Sequence, residues 1–351
     1  MHAPAPRAAP ASGPGGILAL DVGGANLKAA DGLGHVVAEP FELWRRRHEL
    51  AGRLADLVAA RRPGLVVATM TGEIADCYPD RATGVCEIVA AVEAAAAACG
   101  AAAGIYLVDG RIVPPDEARR RPAAAAASNW HALARLAAAH AGADAALLLD
   151  VGSTTTDILL LDRGGAVALA GDDAGRMASG ELVYTGIERT PLAALVRSLP
   201  CGGRRVPVAA ETFARSQDVW LLLGGLPEDP ASLDTCDGAP ATRTAARRRL
   251  ARNLLVDVEA LDDAAARQAA AHAAALQAGR VAAAIRRVLA AHRVAPAAVV
   301  LSGHGTALAE AALERAGLRL PRVSLERILG PAVSRAAPAH ALALVAAGAI
   351  R

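Results

Sequence analysis

The stretch Asp21-Val-Gly-Gly-Ala-Asn-Leu-Lys28, entered by the apolar run Ile17-Leu18-Ala19-Leu20, decides the fold because it recurs. The second copy is Asp150-Val-Gly-Ser-Thr-Thr-Thr-Asp157, entered by Ala145-Ala146-Leu147-Leu148-Leu149. Each reads as a buried strand ending in Asp, a tight glycine turn, small polar residues and a second apolar strand. A glycine turn brings backbone N–H groups close to an anion, and a carboxylate beside it can hold a cation. One such loop is an ordinary hairpin. Two with one layout point to two similar lobes gripping a phosphate-bearing ligand.

Asp21 and Asp150 are the candidate metal ligands, because hard carboxylates beside a polyphosphate suit Mg²⁺. Gly23, Gly24, Asn26 and Lys28 in the first loop, and Gly152, Ser153, Thr154 and Thr155 in the second, are candidate diphosphate or nucleotide contacts. Lys28, which could place an ammonium on the ligand, and Asp150 also count as candidate catalytic groups. Asp157 is placed to accept from the Thr hydroxyls. A third element, Ser302-Gly303-His304-Gly305-Thr306, follows a strand and opens a helix, where an anion or polar group is favoured. Gly303, His304 and Gly305 join the candidate ligand contacts; His304 reads equally as a turn residue.

The same strand pattern organises the chain. Ile17–Asp21, Leu27–Ala30 and Val36–Phe41 read as a three-strand meander. A helix over His48–Ala60, a strand over Leu65–Met70, a helix over Val85–Cys99 and a strand over Gly104–Val108 follow. After a helix over Asn129–Ala141 the meander restarts with Leu147–Asp150, Ile158–Leu161 and Ala166–Ala170. A polar, Gly/Pro-punctuated insertion spans about 172–256. Asp262–His292 is a long Ala-rich helix, Ala298–Leu301 a strand, and Ala307–Ala316 and Ala336–Ala349 are helices. The domain expectation is a disordered tail over 1–16, lobe I over 17–144, lobe II over 145–335, and a C-terminal helix over 336–351 packing back between the lobes. The fold class is α/β: a duplicated RNase H-like (actin-like ATPase) two-lobed fold with an inter-lobe cleft. In a Rossmann or P-loop unit the Gly-rich loop opens a helix, whereas here each loop leads into a strand.

Composition narrows the function. The chain has 351 residues, 54% hydrophobic and 2% aromatic, with alanine making up much of the difference. With 37 basic and 35 acidic residues, the net charge of +2 argues against a nucleic-acid footprint. The five cysteines form no CxxC pair, which suits a reducing cytoplasm. No run has the length and apolarity of a membrane span.

With the loops assembled, the chain resembles the hydantoinase/oxoprolinase branch of the actin-like ATPase superfamily, and more narrowly its subgroup tied to tetrahydromethanopterin-linked one-carbon transfer. The resemblance runs from about Ile17 to the C-terminus. It rests on both loops, on Met70-Thr71-Gly72-Glu73 with Asp76-Cys77-Tyr78, and on Ala127-Ser128-Asn129-Trp130. It also rests on Gly180-Glu181-Leu-Val-Tyr184-Thr185-Gly186, Arg189-Thr190-Pro191, and Asp237-Gly238 with Pro240-Ala-Thr242. The resemblance implies a transferase of methanofuran-type biosynthesis. Such an enzyme joins an aminomethylfuran carrying a diphosphate to the phenol of γ-glutamyltyramine and releases pyrophosphate. It implies Mg²⁺ as cofactor, with ATP admitted by the fold but not expected to be required. It implies small-molecule substrates, no nucleic acid, no membrane, and room for a homodimer.

That chemistry needs stabilisation of the leaving diphosphate and a base near the phenol. Glu73 is the candidate base or metal ligand. Tyr184, Thr185 and Arg189 are candidate acceptor contacts, Arg189 as a bidentate donor to phosphate or carboxylate, or else as a partner of Glu181. Trp130 reads as core. Two other functions stay open: an ATP-dependent hydrolase of a cyclic amide, and a non-catalytic actin-like nucleotide-binding protein.

Overall fold

A computed structural model describes residues 15–350; most of the tail expected over 1–16 lies outside them. The chain forms two compact units. The first comprises residues up to Ala139, Gly164–Ala166 and Leu329 onward; the second comprises His140–Arg163 and Val167–Ile328.

In the first unit, Ile17–Val22 (β1), Asn26–Ala30 (β2), Val36–Pro40 (β3), Leu65–Met70 (β4), Ala102–Tyr106 (β5) and Ile112–Val113 (β6) form one sheet. Its order is β3-β2-β1-β4-β5-β6. β1 pairs antiparallel with β2 and parallel with β4, which is parallel to β5. β1 is buried from Leu18 to Val22, as expected of a parallel-sheet strand covered on both faces. The helices Leu50–Arg61 and Arg81–Ala97 pack on each other. Asp80 starts the second of these by accepting from the Thr83 N–H. The C-terminal helix Ala337–Ala346 packs on β1, β2 and β4 of this sheet.

In the second unit, Ala146–Val151 (β7) pairs antiparallel with Thr156–Asp162 (β8). The stretch expected as the third strand, Ala166–Ala170, yields only the two-residue Gly165–Ala166 (β9), which falls in the first unit. The edge position beside β8 is filled by Leu182–Val183 (β10), from within the segment expected as an insertion. Ser198–Cys201 (β11) and Arg204–Pro207 (β12) make a separate hairpin. Ala298–Ser302 (β13) and Arg322–Ser324 (β14) extend the sheet in parallel, giving β10-β8-β7-β13-β14.

The two sheets share one order: an antiparallel meander followed by two parallel strands. This is the duplicated RNase H-like, actin-like ATPase architecture. Each unit has its own hydrophobic core. In the second, the 30-residue helix Asp263–His292 presents Ala266, Ala269, Ala270, Ala273, Val281 and Ile285 inward at helical spacing. Small side chains let neighbouring elements approach closely, so a chain with few aromatics still fills its interior.

Candidate functional site

The two loops close by the same bond. The Gly23 N–H donates to the Asn26 carbonyl at 3.0 Å, and the Gly152 N–H donates to the Thr155 carbonyl at 2.9 Å. Two further carbonyls in each turn are also occupied. In the first loop, the Leu43 N–H donates to the Gly24 carbonyl and the Phe41 N–H to the Ala25 carbonyl. In the second, Gly152 accepts from the Ile187 N–H, and Ser153 accepts from the N–H groups of Glu188 and Arg189. The amides of Gly24 and Ala25, and of Ser153 and Thr154, donate to no oxygen among the described residues. Loops whose carbonyls are tied back and whose amides are open present positive dipole outward, the arrangement that attracts an anion.

Register explains what stands beside each loop. Asp21 lies opposite Lys28 across β1 and β2, and its Oδ2 is 3.4 Å from Lys28 Nζ. Its other oxygen, Oδ1, is buried with no hydrogen-bond partner. Such an oxygen is a ready ligand for a hard cation, so the chemistry of this side chain fits Mg²⁺. Among the described residues, no three His, Cys, Asp or Glu side chains gather as a metal cluster. Asp21 would therefore hold such an ion through a single side chain, and the ion would supply positive charge beside the loop. In the second loop Asp150 lies opposite Asp157, a pair of like charges. Asp157 is paired with the buried Arg176 at 2.6 Å. This ion pair is its principal contact, in place of the expected role beside the Thr hydroxyls.

Glu73 is fully buried. The turn that carries it is anchored to the first loop, since the Thr71 and Gly72 N–H groups both donate to the Val22 carbonyl at 3.0 Å. Gly72 lies against Gly23, where an added Cβ would come within 3.1 Å of the Gly23 carbonyl carbon. Gly84, in the first turn of Arg81–Ala97, lies directly over Glu73; a Cβ there would fall 2.1 Å from the Glu73 carbonyl oxygen. The Arg81 guanidinium stands 4.0 Å from Glu73 Oε1.

In the second unit, the segment Ser302–Gly305 packs on Asp150 and Val151. The Gly305 N–H donates to the Val151 carbonyl at 3.0 Å. Gly303, at φ +76°, lies so close that a Cβ would fall 2.2 Å from the Val151 carbonyl oxygen and 2.9 Å from Asp150 Oδ1. Only glycine fits there. His304 Nε2 is 3.2 Å from Glu188 Oε1, and each side chain is 29% exposed. Ser302 stands beside Asp150 in the β7–β13 register, its buried hydroxyl without a partner.

The segment Thr185–Thr190 is braced from behind. Gln277, buried on the long helix, donates to the Thr185 hydroxyl at 2.9 Å and the Gly186 carbonyl at 2.7 Å. Gln277 Oε1 accepts from Trp220 Nε1 at 2.8 Å. The hydroxyls of Thr185 and Thr190 are 2.9 Å apart. Thr185 supports the loop, with its hydroxyl engaged internally. Tyr184 is exposed and Arg189 half-buried. Glu181 is buried and accepts from the Leu169 and Ala170 N–H groups and from Ser179. Trp130 is core. Ser302, Glu188 and Gln277 carried no role in the sequence reading. The signal for Gln277 was a lone amide on the apolar stripe of an Ala-rich helix.

The sequence profile of the Hydantoinase/oxoprolinase family matches residues 65–348. A protein of Methanocaldococcus jannaschii named (4-{4-[2-(gamma-L-glutamylamino)ethyl]phenoxymethyl}furan-2-yl)methanamine synthase is 31% identical over 253 residues, covering 70% of this chain and 74% of its own. A protein of the same name from Methanococcus vannielii is 36% identical over 112 residues, 32% of this chain and 50% of its own. Among solved structures, nucleotide-free acetone carboxylase aligns with a TM-score of 0.48 at 13% identity, over 92% of this chain and 51% of that one. The ROK hexokinase of Thermus thermophilus aligns with a TM-score of 0.42 at 18% identity, over 93% and 97%. The chain belongs to the hydantoinase/oxoprolinase family.

Proposed function

We propose that this chain is a transferase of methanofuran-type biosynthesis, forming an aryl-alkyl ether from an aminomethylfuran-methyl diphosphate and the phenol of γ-glutamyltyramine. The name of the Methanocaldococcus relative describes that ether linkage. The observation that carries the reading is the pair of loops with the Gly24, Ala25, Gly152 and Ser153 carbonyls occupied and the Gly24, Ala25, Ser153 and Thr154 amides open. Such loops suit a leaving diphosphate.

In this reading the bond between the furan-methyl carbon and the diphosphate oxygen breaks, and its electron pair leaves with pyrophosphate. The phenol oxygen bonds to the same carbon and loses its proton to a base. The loop amides, the Ser153, Thr154 and Thr155 hydroxyls and the Lys28 ammonium stabilise negative charge on the departing group. Asp21 is the proposed Mg²⁺ ligand of the first unit and Asp150 that of the second; Mg²⁺ held by either would supply further neutralisation of that charge. Gly23, Gly152, Gly303 and Gly305 permit the close backbone approach. Glu73 is the proposed base or metal ligand, and Tyr184 and Arg189 the proposed acceptor contacts.

The test is to incubate the purified protein and Mg²⁺ with the furan diphosphate and γ-glutamyltyramine. Pyrophosphate release and the ether product, detected by mass spectrometry, are expected in equal amounts. No product, or turnover of ATP coupled to opening of a cyclic amide, would overturn the reading.

A further inference from the structure

A groove of 590 Å³ opens in the second unit between the β11–β12 hairpin and the outward face of the long helix Asp263–His292. Four guanidiniums line it, those of Arg197, Arg205, Arg280 and Arg315, and no carboxylate does. None of the four has an acidic side chain within ion-pair distance among the described residues, whereas many arginines elsewhere on this nearly neutral chain are paired. Two are held in place by the protein. Arg280 Nη2 donates to the Leu195 carbonyl at 2.9 Å. Arg205 Nε donates to the Ser198 hydroxyl at 3.2 Å, and its Nη2 lies 2.9 Å from His272 Nε2. Burial and the neighbouring Arg205 charge hold His272 below its ordinary pKa, so it serves here as an acceptor for Arg205 and adds no carboxylate-like counter-charge. The floor is apolar and shallow-chained: Leu195, Val196, Ala275 and Gly279.

We infer that this groove is a second binding site, for a small organic molecule carrying two or more carboxylate or phosphate groups on a compact carbon frame. Uncompensated guanidiniums of fixed position favour a multiply charged anion, because each can donate charge-assisted and bidentate bonds. The volume matches the range of about 300–1,000 Å³ typical of small-molecule sites. The site is separate from the loops. Arg315 is near the far end of the helix Thr306–Ala316, about 14 Å along its axis from the turn carrying His304. The groove also backs onto the loop support: Gln277 projects from the buried side of the helix whose open side carries Leu276, Gly279 and Arg280. The inference stands whether or not the transferase reading does.

Hydrogen exchange on the full chain, with millimolar citrate or inorganic pyrophosphate as separate probes, tests it. Slowed exchange in 195–205 and 275–283 is expected with at least one probe, and the probe that acts tells carboxylate from phosphate recognition. Arg280→Gln should weaken that binding at least about tenfold, the loss of one charge-assisted contact. The double variant Arg197→Gln/Arg315→Gln, which removes no side-chain bond within the protein, should weaken it at least as much while leaving Tm unchanged. No protection of these segments by either probe, or unaltered affinity in the double variant, would overturn the assignment.

Discussion

His304 Nε2 and Glu188 Oε1 stand 3.2 Å apart, and each belongs to a different segment seated on the second loop. The Glu188 N–H is bonded to the Ser153 carbonyl, while Gly305, next to His304, is bonded to the Val151 carbonyl. The ring and the carboxylate are thereby held close by segments whose backbones are fixed to the loop. Glu188→Gln keeps those backbone bonds and removes only the charge. In the transferase assay we expect it to raise KM for the diphosphate substrate about tenfold, as one charge-assisted contact is lost, with Tm little altered. Unchanged kinetics would show that the pair only ties the turn together.

Asp21 tests the opposing pulls of function and stability. Its carboxylate is buried, one oxygen faces Lys28 at 3.4 Å and the other has no partner. A buried, incompletely satisfied charge is costly in the absence of its ligand. Asp21→Asn is therefore expected to cut turnover by about 100-fold or more while holding or raising the Tm of the ligand-free protein. Retained turnover with the same Mg²⁺ dependence would remove Asp21 from the metal site.

Gly84 and Gly303 are constrained by backbone contact, not by flexible side chains. An added methyl would lie 2.1 Å from the Glu73 carbonyl oxygen at the first and 2.2 Å from the Val151 carbonyl oxygen at the second. Gly303 also has φ +76°, strained for any L side chain. Each Ala variant should destabilise its unit by about 2–4 kcal/mol in urea unfolding, with activity lost at temperatures where the fold survives. Gly24→Ala, where no atom lies within 4 Å of the added methyl, should cost much less.

His131 gives the pH prediction. Burial, and next the charge of Arg135, push its pKa down to about 4 from 6.5. Its Nδ1 lies 2.7 Å from the Tyr106 hydroxyl. The unfolded chain takes up this proton near pH 6.5 and the folded chain only near pH 4. Stability from the neutral ring is thus full above pH 6.5 and is lost as pH falls from 6.5 towards 4, by at most about 3 kcal/mol. Urea unfolding at several pH values should show this slope in the wild type and lose it in His131→Gln.

The loops were legible in the sequence because their chemistry is local: Asp, Gly and the following strand fix turn, register and burial together. Glu73 was legible as a candidate for the same reason, since it closes a short polar turn after a buried strand. The edge strand was not. Leu182–Val183 contributes two residues to the sheet, too few for an alternating pattern, whereas Ala166–Ala170 has strand-like composition and makes almost none. Glu188 and His304 meet only through folding. Neither residue announces the other, because the bonds that bring them together run through the carbonyls of Val151 and Ser153, and backbone groups leave no mark on a sequence. Gln277 left a faint one, a single amide among alanines.

Three consecutive N–H groups, those of Ile187, Glu188 and Arg189, hold the carbonyls of Gly152 and Ser153 turned away from the open face of the second loop. They come from the stretch that looked like an interruption of the repeat. A chain with that stretch trimmed to a short linker would leave those peptide planes free to rotate. A carbonyl turned outward in place of an amide would reverse the local polarity of the turn. The added segment is in this sense a lock on the sign of the loop, held by backbone bonds alone.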